Sequence, residues 1–193
     1  MKNIALLFLS LLFINCGSKK STTTYYNENT YEEKANYVTY DPLSEEDKKY
    51  FSKKLEVSQD EIINGKLYKF IKEWEGTKYV YGGETKQGID CSALMQRLFK
   101  EVYNCELPRT AEEMGLDKRF HLFKLTKNLK EGDLVFFRIT EERIISHVGI
   151  YLKNNKFFNA NLSGGASISD LKSEYWKKFY VVSGRLKNEK TNE

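Results

Sequence analysis

Residues 88–99, GIDCSALMQRLF, decide the fold of this 193-residue chain. Asp90 is a favoured N-cap residue, because its carboxylate can accept a hydrogen bond from an unpaired N–H of the first helical turn. The apolar residues after it recur at helical spacing: Leu94, Met95, Leu98, Phe99 and Val102. Cys91 shares their face, since residues three and four apart are neighbours on a helix. The stretch therefore predicts an amphipathic helix with a thiol in its first turn, directed into the protein.

The thiol of Cys91 has two interpretations. A helix N-terminus stabilises a thiolate and can lower a cysteine pKa from ~8.5 toward ~3.5–7.5, which makes a nucleophile near neutral pH. A cysteine on an apolar face can also be a small core residue. Taken alone, Cys91 favours the second interpretation, so the choice depends on what else the chain contains.

Composition excludes several classes of protein. The 13 tyrosines and 12 phenylalanines exclude disorder throughout the chain. The net charge of +4 is small and no basic stripe is present, so we expect no nucleic-acid partner. Two histidines and the lack of a CxxC motif give no ligand spacing for a metal, and we expect no cofactor.

The N-terminus predicts a targeting segment. Lys2 precedes an apolar run over residues 4–14, which is shorter than the ~20 residues that a spanning helix needs and suits a signal peptide over residues 1–15. Cys16 follows at once, as in bacterial lipoprotein signals, where this cysteine becomes the lipidated first residue. We expect secretion across the inner membrane and a lipid anchor on the outer membrane or periplasmic face. Asn15 stands where such signals have a small residue, which leaves secretion without lipidation as the alternative.

Residues 16–57 are expected to form a polar tether and an accessory helix, which begins after Ser44 and ends near Leu55. A domain over 58–187 and a tail over 188–193 follow. The first helix of the domain is expected to end near Gly76. Its apolar face consists of Ile63, Leu67, Phe70, Ile71 and Trp74. In residues 77–83, Tyr79 and Tyr81 project to one side of a short extended segment, or are core aromatics.

The second half of the domain is expected to be mostly strands. Residues 111–130 look charged and irregular, with a break at Gly115 and a surface His121. Strands are predicted over residues 134–139, 144–152, 156–162 and 179–182, and the end from 184 looks frayed. Helices followed by antiparallel strands predict an α+β domain, with N-terminal helices packed on a mostly antiparallel sheet.

One hairpin brings two polar residues together. A three-residue turn over 153–155 pairs Gly149 with Asn159, so His147 and Asn159 become diagonal neighbours on one face. A two-residue turn would place them on opposite faces. Thiol, imidazole and orienting amide are the parts that covalent acyl transfer requires. Each also has a structural alternative: His147 as a core histidine and Asn159 as a cap at a strand end.

Six blocks carry a resemblance to a known family. They are GTKYVYGG (76–83), GIDCSAL (88–94), LPRTAEEM (107–114), EGDLVFF (131–137), SHVGIYL (146–152) and KFFNA (156–160). Together, over roughly residues 62–186, they resemble the NlpC-type bacterial cell-wall peptidases, a branch of the papain-like cysteine hydrolases.

The resemblance implies a papain-like α+β fold with the nucleophile at a helix N-terminus. It implies Cys91 as nucleophile, His147 as base, Asn159 in the third polar position and Tyr79 beside the oxyanion pocket. We place Asp90, Ser92 and Arg109 among the residues that bind substrate or the oxyanion. Cys105 is read as a structural thiol. Two residues depart from the family pattern: Ala93 replaces a usual glycine, and Tyr81 stands where tryptophan is common.

The implied function is a cofactor-free, monomeric cysteine endopeptidase that hydrolyses peptidoglycan stem peptides. The implied bond joins D-glutamate, through its γ-carboxyl, to diaminopimelate or lysine. One alternative is a papain-like acyltransferase or amidase on another substrate. The other is an inactive wall-binding module, whose mark would be the loss of Cys91 or His147, and both residues are present.

Overall fold

A computed structural model describes residues 42–187 of the chain. The predicted signal peptide, the lipidation site at Cys16, most of the tether and the tail from residue 188 lie outside the described residues. Within the described range, no helix has the length and apolar character that crossing a membrane requires.

Five α-helices occur in the described range, and each begins at a residue able to cap it. In chain order they are α1 (Glu45–Leu55), α2 (Gly65–Trp74), α3 (Cys91–Tyr103), α4 (Ala111–Leu116) and α5 (Glu174–Phe179). Ser44 caps α1 by accepting the N–H of Asp47, which confirms the predicted accessory helix. The second predicted helix is shorter than its apolar pattern suggested: it begins at Gly65, and Ile63 lies outside it with 57% of its surface exposed.

Helix α3 has the predicted form. Asp90 accepts the N–H of Ala93 at 2.7 Å, and the five apolar residues of the predicted stripe are all buried. Asn104 ends the helix in the left-handed conformation. Cys105 therefore follows the helix instead of continuing it, and its sulfur lies 3.5 Å from the Arg119 guanidinium.

Eight strands form two sheets within residues 42–187. The strands are β1 (Glu84–Thr85), β2 (Gly88–Ile89), β3 (Phe120–Phe123), β4 (Leu134–Phe137), β5 (His147–Tyr151), β6 (Lys156–Asn161), β7 (Gly165–Asp170) and β8 (Tyr180–Leu186). Strands β1 and β2 make a small hairpin before α3. The others form one antiparallel sheet in the order β3-β8-β4-β5-β6-β7. The predicted α+β class is confirmed.

The β5–β6 hairpin has the predicted register. Ile150 pairs with Phe158 and Tyr151 with Phe157, which continues to Gly149 opposite Asn159. Gly149 is required here, because a Cβ atom would lie 2.7 Å from the carbonyl oxygen of Phe158 and 3.0 Å from the Cβ of Asn159. The three-residue turn therefore puts His147 and Asn159 on one face.

Several segments differ from the sequence expectation. Residues 111–130 are not irregular: Gly115 lies inside α4, buried against Ile145, and the exposed His121 lies in β3. Strand β7 and helix α5 were not predicted, and the last strand runs to Leu186 instead of fraying from residue 184. Strands β4, β5 and β6 are each shorter than predicted, by one to three residues at an end.

The core lies on both faces of the large sheet. Helix α3 packs on β5 and β6, and Phe51 and Leu55 of α1 belong to the same buried cluster. The packed unit therefore includes residues that the sequence assigned to a tether and accessory helix. On the opposite face, Phe137 and Phe157 pack with Trp176 of α5. Strand β4 is apolar throughout because both of its faces are covered.

Candidate active site

Cys91 is the first residue of α3, and only 6% of its surface is exposed. The backbone N–H groups of Cys91 and Ser92 lie at the helix start, where they have no partner within the helix, and both favour the charged form of the thiol. The N–H of Val148 in β5 does the same. The thiol thus lies where the start of α3 meets the residue after His147.

The expected low pKa of Cys91 is wrong. Burial raises its pKa from 9.0 to about 11, and the nearby carboxylate of Asp90 acts in the same direction. These effects outweigh the backbone N–H groups, because a thiolate loses its hydration in the interior. The group is therefore a thiol at pH 7, and it must lose its proton as it attacks.

His147 lies at the start of β5 and is 4% exposed. Its ring stacks on the indole of Trp176, with centroids 5.2 Å apart and planes at 27°. Phe137, opposite it in β4, lies 5.9 Å away between ring centroids. Burial lowers the pKa of His147 from 6.5 to about 4, although the bond to Asn159 acts against this. The imidazole is therefore neutral at pH 7 and able to accept a proton.

A chain of hydrogen bonds fixes which nitrogen of His147 accepts that proton. The backbone N–H of Gly164 donates to Asn161 Oδ1 at 2.9 Å, so the Nδ2 group of Asn161 faces Asn159 Oδ1 and donates to it at 3.1 Å. The same oxygen lies 3.0 Å from His147 Nε2. An acceptor at that position requires a hydrogen on Nε2, which leaves Nδ1 as the base. Asn159 also donates to Ser169 Oγ at 2.9 Å, and it is fully buried.

Asp90, Ser92 and Arg109 form a polar cluster at the helix start. Arg109 donates to both carboxylate oxygens of Asp90, at 3.2 and 2.8 Å, and to Ser92 Oγ at 2.8 Å. Burial opposes the charge of Asp90, but the guanidinium and the Ala93 N–H hold its pKa below the usual range. The structure brings the three predicted residues together, with their polar atoms directed at one another. That they bind substrate stays a prediction. Their hydrogen bonds to one another stabilise the start of α3.

Tyr79 is half-buried and aligns with Ile89 through a parallel bridge. Burial raises its pKa to about 12, and the negative charges of Cys91 and Asp90 add to the rise. Tyr81 is 80% exposed, so it is not a core aromatic. Both tyrosines line a cavity of about 940 Å³ that also contains His147 and Trp176. The structure therefore brings Tyr79, Cys91, His147 and Asn159 into one site at the edge of a cleft.

The thiol of Cys91, the imidazole of His147 and the amide of Asn159 are the side-chain types that covalent acyl transfer through sulfur uses. Within residues 42–187, no group of three histidine, cysteine, aspartate or glutamate side chains is arranged to hold a metal ion.

Comparison with known proteins agrees with this chemistry. The model of the NlpC/P60 family matches residues 76–185. The chain belongs to the NlpC/P60 family. A probable endopeptidase NlpC homolog of Haemophilus influenzae is 47% identical over 115 residues, which cover 59% of this chain and 58% of that protein. The murein DD-endopeptidase MepS/murein LD-carboxypeptidase of Escherichia coli is 40% identical over 141 residues, 68% of this chain and 72% of that protein.

A solved structure of this family shows the same fold. It is a lipoprotein-like NLP/P60 protein of Staphylococcus aureus, with a TM-score of 0.56 and 24% identity. The match covers 78% of this chain and 44% of that one. The chain therefore spans less than two thirds of the Haemophilus influenzae relative and less than half of the Staphylococcus aureus protein.

Three residues of this NlpC/P60 site were missed by sequence reasoning. Trp176 lies on α5, and Ser169 and Asn161 fix Asn159. Asn161 follows Asn159 by two residues in an extended stretch, so the side-chain alternation could have placed it on the same face. Trp176 and Ser169 have no such signal, because neither of their elements was predicted.

Proposed function

We propose that this protein is a cysteine peptidase that hydrolyses stem peptides of peptidoglycan. The observation that carries the proposal is the hydrogen-bonded pair of His147 and Asn159 set beside Cys91 at the start of α3. The named activities of the two relatives, endopeptidase and murein endopeptidase, support the reaction class and the substrate class.

The first half of the reaction forms an acyl-enzyme. The sulfur of Cys91 attacks the peptide carbonyl while its proton passes to Nδ1 of His147. Because both groups are neutral at pH 7, charge develops only in this step. The N–H groups at the start of α3 and the hydroxyl of Tyr79 receive the oxyanion. Asn159 and the face of Trp176 stabilise the imidazolium.

The second half releases the products. The imidazolium of His147 gives its proton to the leaving amine as the C–N bond breaks. Water then enters, His147 takes one of its protons, and the hydroxide attacks the thioester. The acyl product leaves as a carboxylic acid, which ionises in water, and the proton on His147 returns to the sulfur of Cys91.

Two bonds are candidates. The resemblance of the sequence favours the bond from the γ-carboxyl of D-glutamate to diaminopimelate or lysine. The name of the Escherichia coli relative, which aligns over 72% of its length, favours a bond between D-residues at a cross-link. Digestion of an uncross-linked muropeptide and of a cross-linked dimer, followed by mass spectrometry, separates them. D-glutamate as a new peptide end identifies the first bond, and conversion of dimer to monomers identifies the second.

The central test uses matched cysteine variants. Purified protein incubated with peptidoglycan is expected to release new amino groups while leaving sugar bonds intact. Cys91→Ser is expected to release none, and Cys105→Ser is expected to match the unmodified protein, because Cys105 lies beyond the far end of α3. Release of the same fragments by Cys91→Ser would contradict the proposal. So would cleavage or acylation of a different substrate by an active protein that leaves muropeptides intact.

We also propose that Cys16 anchors the secreted protein to a membrane through lipid. Wild-type protein is then expected in the membrane fraction, and Cys16→Ser is expected to be released or to remain unprocessed. Soluble wild-type protein that retains an unmodified Cys16 would contradict the anchor without affecting the peptidase proposal.

A further inference from the structure

The cleft beside His147 is almost free of charge. Among the described side chains that line it, only Glu142 and Arg143 are of charged types; the others are aromatic, aliphatic, hydroxyl, amide or imidazole groups. The two are consecutive residues, so one short stretch of the cleft wall carries one carboxylate and one guanidinium. In a cleft of this kind, a fixed pair of opposite charges favours a ligand group that carries both charges.

Neither charge forms an ion pair among the residues that the structure describes. Within residues 42–187, neither Glu142 nor Arg143 has an oppositely charged group within 4.0 Å. The charge of Arg143 acts on the carboxylate of Glu113. Its pKa is lowered first by hydrogen bonds from Thr110 and to a smaller extent by the charge of Arg143. Glu113 uses Oε2 to accept both bonds of the α4 cap, and neither of its oxygens lies within 4.0 Å of Arg143. Among the described residues, the guanidinium of Arg143 therefore has no carboxylate bound to it.

The loop that carries these residues is fixed at both ends. Ser146 Oγ accepts the N–H groups of Ile139 and Thr140 at 2.7 and 3.0 Å. The N–H of Ile144 donates to Glu112 of α4 at 3.1 Å, and Ile145 is buried in the core. The two charged residues therefore lie on a short span between anchored positions, which presents them to the cleft.

The position of His147 tells which part of the substrate meets this loop. The general acid must contact the leaving amine, so the residue that carries that amine lies on the His147 side. His147 lines the cleft with Glu142 and Arg143, whereas Cys91 does not line it. In the D-glutamyl bond the leaving amine is the α-amine of diaminopimelate or lysine, and in a cross-link it is the amine at the far end of the same side chain.

We propose that Glu142 and Arg143 recognise the charged end of this leaving residue, and that Arg143 makes the protein prefer diaminopimelate over lysine. The inference rests on the proposed function. The role of Arg143 is the same for either bond, whereas the role of Glu142 applies to the D-glutamyl bond, in which the amine at the far end is free. Diaminopimelate has a carboxylate at the far end of its side chain, and a guanidinium binds a carboxylate through two parallel hydrogen bonds. Lysine ends in an ammonium group alone, which Glu142 can bind and Arg143 cannot.

Two stem peptides that differ only in this residue test the inference. The full-length protein is assayed with L-alanyl-γ-D-glutamyl-diaminopimelate and with the lysine peptide; for a cross-link cutter, the corresponding dimers replace them. We expect kcat/KM to favour diaminopimelate by about ten- to a hundred-fold, the range of a hydrogen-bonded charge. Amidation of the far carboxylate is expected to remove the preference.

Variants of the loop complete the test. Arg143→Gln is expected to bring the diaminopimelate-to-lysine ratio close to one by slowing only the diaminopimelate peptide, and Arg143→Lys is expected to fall between. Arg138→Gln is the control, because Arg138 is an exposed arginine of the same loop that bonds Glu141 and does not line the cleft.

The outcomes separate the two proposals. Equal rates in the wild type, or a preference that survives Arg143→Gln, would overturn this inference while Cys91-dependent hydrolysis upholds the proposed function. Cleavage of neither peptide type, with or without cross-links, would overturn the proposed function and this inference with it.

Discussion

The two halves of the site are stabilised in different ways. At the start of α3, Asp90, the residue before Cys91, forms an ion pair with Arg109, whose side chain is 37% exposed. Around His147 the partners are uncharged and buried: the amide of Asn159 and the aromatic ring of Trp176. The start of α3 is stabilised by an ion pair, and His147 is stabilised by buried, uncharged contacts.

This difference has a chemical consequence. The Asp90–Arg109 ion pair tolerates water, and it leaves the N–H groups of Cys91 and Ser92 directed at the thiol, where the proposed mechanism places the oxyanion. A dry, neutral environment keeps His147 unprotonated well below neutral pH, so it is ready to act as a base. In the proposed mechanism, the place where negative charge develops is thus kept apart from the imidazole that takes up the proton.

The largest expected effect comes from removing the base. His147→Ala is expected to lower kcat on muropeptides by at least the ~10²–10⁴-fold typical of general acid–base groups. The only other histidine, His121, lies exposed in β3, so His121→Ala is expected to retain full activity. Equal rates for the two variants would show that His147 is not the base.

The second prediction concerns stability and pH. The pKa of His147 is about 4 in the folded protein and 6.5 in a solvated chain, so between these values the unfolded state binds a proton that the folded state does not. Stability should therefore fall as pH drops from 6.5 to about 4, by on the order of 3 kcal/mol. Urea unfolding at several pH values measures this change. His147→Gln should flatten that part of the profile and His121→Gln should not; identical profiles would contradict the burial argument.

The third prediction concerns the orienting amide. Asn159→Ala is expected to reduce kcat by about ten- to a hundred-fold, because the base remains but its tautomer and direction are no longer fixed; this lies below the loss for the base itself. Ser169→Ala, which removes one partner of Asn159, is expected to cost less. If Asn159→Ala proved as damaging as His147→Ala, the assigned role of the amide would be wrong.

The smallest effect is expected on the charged side. Arg109→Ala should lower the free energy of unfolding by about 1–2 kcal/mol, since Asp90 keeps its bonds to Ala93 and Gly82. Because the pKa of Asp90 is lowered in the fold, this stabilisation is present above the ordinary carboxyl range and is lost as pH falls through the lowered pKa. Arg138→Ala serves as the exposed control in the same urea titrations. A loss that persists in strong acid would show that the effect is not the ion pair.

Much of the site was predictable because its parts obey local rules. The N-cap and apolar spacing around Cys91 define α3, and the length of the turn after β5 defines the pairing that joins His147 to Asn159. Two physical causes explain why β3, β7 and α5 were missed. Strands β3 and β7 are the two edges of the large sheet, where each pairs on one side only and needs no strong apolar alternation. Helix α5 has six residues, too few for its periodicity to be recognised.

By itself, the sequence determined which residues could act and how they are spaced: a thiol after a helix cap, and an imidazole and an amide in one hairpin. Only the tertiary structure decided their protonation. The pKa of Cys91 rises and that of His147 falls because α3, β5 and Trp176 together remove water from them. A local pattern specifies the helix end that favours a thiolate, but the loss of hydration that overrides it depends on side chains distant in the chain.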